Sequence, residues 1–388
     1  MCEKVTSYLI PHLSEKRASR FLNRVGLKQR FDTVNQEYNI FVYYYQNQLA
    51  DSFSSLQNQF PDYCIDQMNF EPKRRFVIQC PTFHFGKILD FSQALECQAA
   101  YQSIQSCIDI PRAEFQIRGQ IWQAEKPKIM GILNITPDSF YDGGKNLHKE
   151  SYIQAASNMI QAGADIIDIG GESTRPGSQS VEVDEEIKRI ISPLKEIRSR
   201  FDIPISIDTV KPEVAAAALE LGADMINDVS GLAAGKKMLS VINQYKASYC
   251  LMHTQGQPRT MQKNPNYFDV LAELLEYFNI RITLCLKHNV PLNRILLDPG
   301  IGFGKLIDHN LDLLRFMAVF QKIGCLILQG SSNKAFIGKL LDQEVDNRLF
   351  GTITTQALGL INGGTVFRVH EVKENKDALK MAAGYLDI

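Results

Sequence analysis

The side chains of this 388-residue chain that could do chemistry gather at the ends of short apolar runs. Arg368 and His370 lie in Val366-Phe367-Arg368-Val369-His370, where a lone cation on a buried strand would be costly. Two residues apart, they face one side of an extended strand. Two cations aimed into one space suit an anion, and a guanidinium grips phosphate bidentately. A diphosphate fits, with Mg2+ held by an oxygen ligand such as Asn134. Lys334 and the pair Thr174-Arg175 add cations at the ends of two more runs. A solvated loop position is the plainer alternative for Arg175, which precedes Pro176-Gly177.

Asp208, Asn227 and Asp298 end three further runs. A buried carboxylate wants donors, and a flat heterocycle with an amino group beside a ring N–H supplies two. Asn227 offers both a donor and an acceptor. The structural alternative for Asp298 is an internal ion pair with Lys334. Zinc is not expected, because His253 and His370 lie on different runs and no His-Glu-x-x-His occurs. The glycine-rich stretch Asp298-Pro299-Gly300-Ile301-Gly302-Phe303-Gly304-Lys305 is neither a Walker loop nor a correctly spaced dinucleotide fingerprint.

The elements must bring these ends together. Apolar, β-branched runs occur at 128–134, 166–171, 204–209, 225–230, 248–253, 294–300, 326–332 and 365–370. They are continuous rather than alternating, as expected of strands buried on both faces. Amphipathic stretches at 151–162, 184–200, 212–221, 267–288 and 310–321 read as helices between them, with Pro212 at a first helical position. Eight strands alternating with helices predict an α/β fold, a (β/α)8 TIM barrel, over a doubly wound sheet. In such a barrel every strand end, from Asn134 to His370, opens on the face where active sites are built.

Composition narrows the class. The chain is 45% hydrophobic and 22% charged with a net charge of −1, which argues against a nucleic-acid binder. No apolar run is long enough to span a bilayer. The start, Met1 to Ser7, lacks a secretory layout, and the eight cysteines include no Cys-x-x-Cys pair. A soluble, cytoplasmic protein with buried thiols is expected. The texture changes near residue 112: residues 1–112 are rich in Gln, Asn, Tyr and Phe, and 113–388 carry the barrel pattern. Strands at 39–45 and 75–80 and helices at 13–25 and 92–104 predict a small N-terminal α+β domain, read as a docking or dimerising module. No Asp-x-Asp motif of the kind that clusters carboxylates around two Mg2+ ions precedes residue 112.

The barrel motifs form an ordered set. Met130-Gly131-Ile132-Leu133-Asn134-Ile135-Thr136-Pro137-Asp138-Ser139-Phe140, with Asp142-Gly143-Gly144 behind it, resembles the opening signature of the dihydropteroate synthases. Asp168-Ile169-Gly170-Gly171-Glu172-Ser173-Thr174-Arg175-Pro176-Gly177 is similar to their second signature. Ser206-Ile207-Asp208-Thr209, Ile226-Asn227-Asp228-Val229-Ser230, Leu251-Met252-His253, the stretch from Asp298 to Lys305 and Arg368-Val369-His370 follow in family order. The resemblance covers residues 113–388. It implies an enzyme joining 4-aminobenzoate to 7,8-dihydropterin-6-ylmethyl diphosphate, releasing pyrophosphate and making 7,8-dihydropteroate.

By motif position it implies that Asp208, Asn227, Asp298 and Lys334 hold the pterin ring. Asn134, Thr174, Arg175, Arg368 and His370 would hold the diphosphate, with Mg2+ beside Asn134. Loops at 138–144 and 173–178 would close over the site and form the aminobenzoate pocket, with Phe303 and Ser332 nearby. Catalysis would rest on Asn134, Arg175, Lys334, Arg368 and His370, and a homodimer is expected. Two residues depart from the family pattern. Ser332-Asn333-Lys334 stands where the family reads Ser-Arg-Lys, removing a cation expected near the second-substrate pocket, and Glu371 replaces an Asp. The rival readings are a pterin-dependent methyltransferase, which has no reason to keep a diphosphate cluster, and a non-catalytic pterin-binding or scaffold protein.

Overall fold

The computed structural model describes residues 6–14, 37–45, 64–70, 73–81, 111–135, 145–173, 180–256 and 260–388. The chain forms two compact units, Met1–Pro111 with Phe268–Glu276, and Arg112–Tyr267 with Tyr277–Ile388. In the first, β1 (Thr6–Ser14), β2 (Glu37–Tyr45), β3 (Cys64–Phe70) and β4 (Lys73–Pro81) make an antiparallel sheet of order β1-β2-β4-β3. The two expected strands are β2 and β4. The expected helices at 13–25 and 92–104 lie outside the described residues, except Leu13 and Ser14, which end β1 instead.

The second unit opens with a hairpin, β5 (Glu114–Ile117) and β6 (Gln120–Gln123). The barrel strands follow: β7 (Lys128–Asn134), β8 (Ile166–Gly170), β9 (Ile205–Asp208) and β10 (Met225–Asp228). Then come β11 (Ser248–Met252), β12 (Ile295–Asp298), β13 (Leu326–Gln329) and β14 (Val366–Val369). All eight are parallel and close in sequence order, β14 pairing with β7. Closure of a right-handed βα repeat buries each strand on both faces.

The helices expected at 151–162, 184–200, 212–221 and 267–288 are α1 (Lys145–Gln161), α2 (Val183–Arg200), α3 (Pro212–Glu220) and α5 (Val270–Lys287). Pro212 opens α3 because its missing N–H would be unpaired there anyway. The stretch at 310–321 divides into α6 (Ile307–Arg315) and a 3-10 turn at Met317–Ile323. Helices α4 (Lys236–Gln244), α7 (Ala335–Leu341), α8 (Leu349–Ile361) and α9 (Val372–Leu386) complete the ring.

The hairpin plugs the N-terminal end of the barrel. Phe115, Ile117 and Trp122 pack with Met130, Ile166, Met225, Leu296 and Val366 from the strands above. Cys250, Cys285 and Cys325 are buried free thiols. Among the described residues no helix is long and apolar enough to cross a membrane.

Candidate active site

Register builds the site at the opposite end. Asn134 pairs with Gly170, Gly170 with Asp208, and Asp208 with Asn227, so these four lie side by side across β7 to β10. One step deeper on the same face, by the two-residue alternation of a strand, Asp168 lies beside Ser206. Asp168, Ser206, Asp208 and Asn227 are all at least 96% buried.

Arg368, from β14, reaches into this row. Its Nε donates to Asp168 Oδ2 at 2.7 Å and its Nη2 to Asp208 Oδ2 at 2.8 Å. Asn227 Nδ2 donates to Asp168 Oδ2 at 3.3 Å. Burial works against the charge on Arg368, but Asp168 and Asp208 outweigh it and hold its pKa above the ordinary value. The cation that looked costly on its own is therefore met inside the protein, and Asp168 is the partner that sequence reasoning did not single out.

One side of the cluster is left unmet. Asp168 Oδ1, Asp208 Oδ1, Asn227 Oδ1 and Ser206 Oγ are buried with no hydrogen-bond partner among the described residues. A buried acceptor without a donor costs roughly 1–3 kcal/mol, and several at one strand-end row mark a surface shaped for donors from elsewhere. Burial pushes the Asp208 carboxyl up to about 7, against the pull of Arg368, with Asp168 adding to the rise.

Asp298 ends β12, 5% exposed, its Oδ1 accepting the Gly300 N–H at 2.7 Å. Burial raises its pKa, while the Gly300 N–H and Lys334 oppose the rise. Lys334 sits at the N-cap of α7 with its Nζ 4.0 Å from the centroid of the Phe303 ring. The aromatic face is thus one of its partners, and Asp298 feels its charge electrostatically. Ser332 Oγ lies 2.9 Å from His370 Nδ1 and accepts the His370 N–H at 3.3 Å. Thr174 and Arg175, the 138–144 loop and all of 173–178 except Ser173 lie outside the described residues.

The glycine-rich stretch has a steric rather than a phosphate-cradling reason. A Cβ on Gly300 would stand 1.9 Å from the His253 carbonyl, and one on Gly304 would stand 2.3 Å from the Gln255 carbonyl. Lys305, 3% exposed, pins this turn from behind: its Nζ donates to the carbonyls of Gly300 and Phe303 at 3.0 Å and meets His253 Nδ1 at 3.0 Å. Burial brings its pKa down to about 7 and, with Lys305 and Arg281 nearby, also depresses that of His253. Lys305 is legible in the sequence only as the end of a glycine motif, since its one partner from outside the stretch, His253, follows a different strand.

Asn333 does not present its side chain to a pocket. Its amide is spent on Glu371 and Thr352. As for a metal, a Cβ at Gly170 would lie 3.5 Å from Asn134 Oδ1 and 3.6 Å from Asp208 Cβ, so glycine there keeps the space before that amide open. A neutral hard oxygen in an open cradle fits Mg2+, which takes few protein ligands and draws the rest from water and phosphate. Among the described residues no group of three or more His, Cys, Asp or Glu is placed to hold a metal.

Known proteins resemble this chain in sequence and in fold. The family described as pterin binding enzyme matches residues 130–370. Dihydropteroate synthase of Synechocystis is 44% identical over 255 residues, 66% of this chain and 88% of its own. The Clostridium difficile enzyme, solved in the presence of pteroic acid, superposes with a TM-score of 0.64 at 44% identity, covering 68% of this chain and 97% of that one. The Xanthomonas albilineans enzyme, solved with 4-aminobenzoic acid, gives 0.66 at 35% identity, covering 71% and 99%. With the family match spanning most of the barrel and relatives at 44% identity over nearly their whole length, the chain belongs to the dihydropteroate synthase family.

Proposed function

We propose that the chain condenses 7,8-dihydropterin-6-ylmethyl diphosphate with 4-aminobenzoate, releasing pyrophosphate and forming 7,8-dihydropteroate. The observation that carries this reading is the row of buried acceptors at the barrel mouth, Asp208 Oδ1 and Asn227 Oδ1 foremost, with no donor among the described residues. An amino group beside a ring N–H supplies the donors they lack. Asp208, Asn227 and Asp298 take the pterin ring, and Lys334 and Phe303 flank it.

Arg368 has two jobs in this reading. It holds Asp168 and Asp208 in place, and with His370 and Arg175 it supplies positive charge where the diphosphate departs, Thr174 adding a hydroxyl donor. Asn134 would hold Mg2+, which adds charge to the leaving group when bound. The reacting amine is an aromatic amine, already neutral at pH 7, so no strong base is required of the protein. The loops at 138–144 and 173–178 exclude water from the pterin methylene and shape the aminobenzoate pocket beside Phe303 and Ser332.

The same reading takes the chain as a cytoplasmic homodimer. Phe350, Leu358 and Ile361 on α8 and Met381 and Tyr385 on α9 are exposed, Phe350 by 77% and Tyr385 by 80%, which supports a second copy covering them. The barrel domain is taken as 113–388, and residues 1–112 as a docking or dimerising module. An unchanged, soluble and active barrel after their deletion removes that role. The deciding experiment for the reaction is pyrophosphate release from the pterin diphosphate with and without 4-aminobenzoate. Release that depends on the arylamine is expected. Tight pterin binding with no turnover under any arylamine would leave a binding protein.

A further inference from the structure

The two residues that depart from the family pattern, Asn333 and Glu371, are 38 apart in sequence and touch in the fold: Asn333 Nδ2 donates to Glu371 Oε1 at 3.1 Å. Thr352 Oγ1 donates to Asn333 Oδ1 at 3.2 Å and accepts the Asn333 N–H at 3.1 Å. Arg348 Nη1 donates to the Asn333 carbonyl at 3.0 Å. Every polar group of Asn333 is thus engaged inside the protein. Its backbone is left-handed, φ 56°, a region that asparagine enters more readily than arginine. Glu371 Oε2 is buried and has no partner among the described residues, so one acceptor lies vacant beside the position where the family has an arginine.

The neighbours give this contact its meaning. Ser332, on one side of Asn333, bonds His370, the residue before Glu371. Lys334, on the other side, lies on the Phe303 ring. The Asn333–Glu371 bond therefore ties the turn that presents Ser332 and Lys334 to the strand end that presents Arg368 and His370.

We propose that Asn333 is a positioning residue for the condensation. It forms with Glu371 a clasp between these two halves of the site, and the two departures compensate each other. The shorter donor meets the longer acid. The clasp rests on the synthase reading of the site, and its test is chosen to separate the two.

The variants are Asn333→Ala, Glu371→Ala, both together, Glu371→Asp, and Asn333→Arg with Glu371→Asp, all in the full chain. Each alanine variant should lower kcat/KM for the pterin diphosphate about tenfold. The double variant should lower it by the same factor and not its square, since an open clasp cannot be opened twice. The KM for 4-aminobenzoate should move less than twofold. Glu371→Asp should lose as much as Glu371→Ala, and adding Asn333→Arg should recover most of the loss.

Losses that multiply in the double variant, a Glu371→Asp defect that Asn333→Arg leaves untouched, or a change confined to the KM for 4-aminobenzoate each overturn the clasp. Amide hydrogen exchange supplies an arm that needs no turnover. Either alanine variant should speed exchange in both 331–334 and 368–372, and unchanged protection of the segment across the bond sinks the proposal. A wild type that releases no pyrophosphate sinks the synthase reading alone, and the exchange measurement still decides the clasp.

Discussion

The two ends of the barrel are built from the same strands and spend them differently. At the N-terminal end the hairpin presses Phe115, Ile117 and Trp122 onto an apolar floor. The charges around it are met: Asp224 Oδ2 accepts from Arg198 and from the Ile205 N–H, and Asp165 takes Lys128, Lys376 and the Ile129 N–H. At the C-terminal end Asp168, Asp208 and Arg368 are buried together, yet Asp168 Oδ1, Asp208 Oδ1, Asn227 Oδ1 and Ser206 Oγ have no partner among the described residues. Among the described residues the floor end is mostly closed in its own bonds, Asn293 Oδ1 in the turn before β12 being the exception. The other holds acceptors open at a cost to stability, and that cost marks where a ligand belongs.

The largest effect should come from Arg368→Met. Turnover should vanish, because the charge at the mouth and the anchor of Asp208 go together. Stability should fall by about 3–5 kcal/mol, because two buried carboxylates lose their shared cation. Adding Asp208→Asn should restore much of the stability and none of the activity. Urea unfolding and pyrophosphate release measure the two separately. Near-normal turnover in Arg368→Met would mean that the mouth is not the reacting end.

Trp122→Ala is the counterpart at the floor. The ring is 2% exposed, 5.6 Å from Phe115 by centroid, with its N–H on Gln120 at 3.1 Å. Its removal should cost about 3–5 kcal/mol of stability. Below the lowered unfolding midpoint kcat/KM should stay within about twofold, since nothing at the floor reaches the row of acceptors. A large loss of activity in a folded Trp122→Ala protein would erase the division between the two ends.

Legibility in the sequence followed the same division. The eight strands stood out because Ile and Leu fill both faces, but several expected ends ran too far. The run at 326–332 leaves the ladder after Gln329 and that at 294–300 after Asp298, because the mouth residues turn outward to build the site. The hairpin was not seen: each of its strands has four residues, too few for an alternating pattern, and its burial comes from the barrel above it. Helix α8, Leu-Phe-Gly-Thr-Ile-Thr-Thr-Gln-Ala-Leu-Gly-Leu-Ile, is apolar on more than one face and lacks a helical period.

Asp208, Asn227 and Asp298 were found as polar residues at strand ends. Asp168 was passed over because it sits inside its run, and its cation lies 200 residues away. A charge enclosed by Ile166-Ile167 and Ile169 was the available signal. The Lys305–His253 contact leaves none, because only the pairing of β11 with β12 brings the two together.

A moderate effect should appear in pH dependence. The folded state raises the Asp208 pKa to about 7, through burial first and with Arg368 opposing. Between about pH 4 and 7 the folded protein holds a proton that the unfolded chain has released. This contribution to stability is therefore full below pH 4 and lost as pH rises through 7. A pterin that needs the carboxylate must expel that proton. Its Kd should fall about tenfold per pH unit up to 7 and flatten above. Calorimetry in two buffers should count one proton released at pH 6. Lys305 titrates in the same window, so Asp208→Asn decides the assignment: a slope that survives in that variant belongs elsewhere.

The smallest effect should come from Arg118, at the hairpin tip. Its Nε donates to Asp202 at 2.8 Å and its Nη1 to Asp224 at 3.3 Å, with Asp202 88% exposed. Exposed pairs of this kind contribute about 0–1 kcal/mol. Arg118 also holds a left-handed φ of 47°, which asparagine adopts with less strain. In Arg118→Asn the lost pair and the eased backbone therefore pull in opposite directions. Asp224 keeps Arg198 and the Ile205 N–H, so no buried charge is stranded. Stability should shift by less than about 1 kcal/mol, with turnover unchanged. A loss above about 2 kcal/mol would mean that the ion pairs at the floor behave like the buried row at the mouth, where removing one partner leaves a carboxylate without its cation.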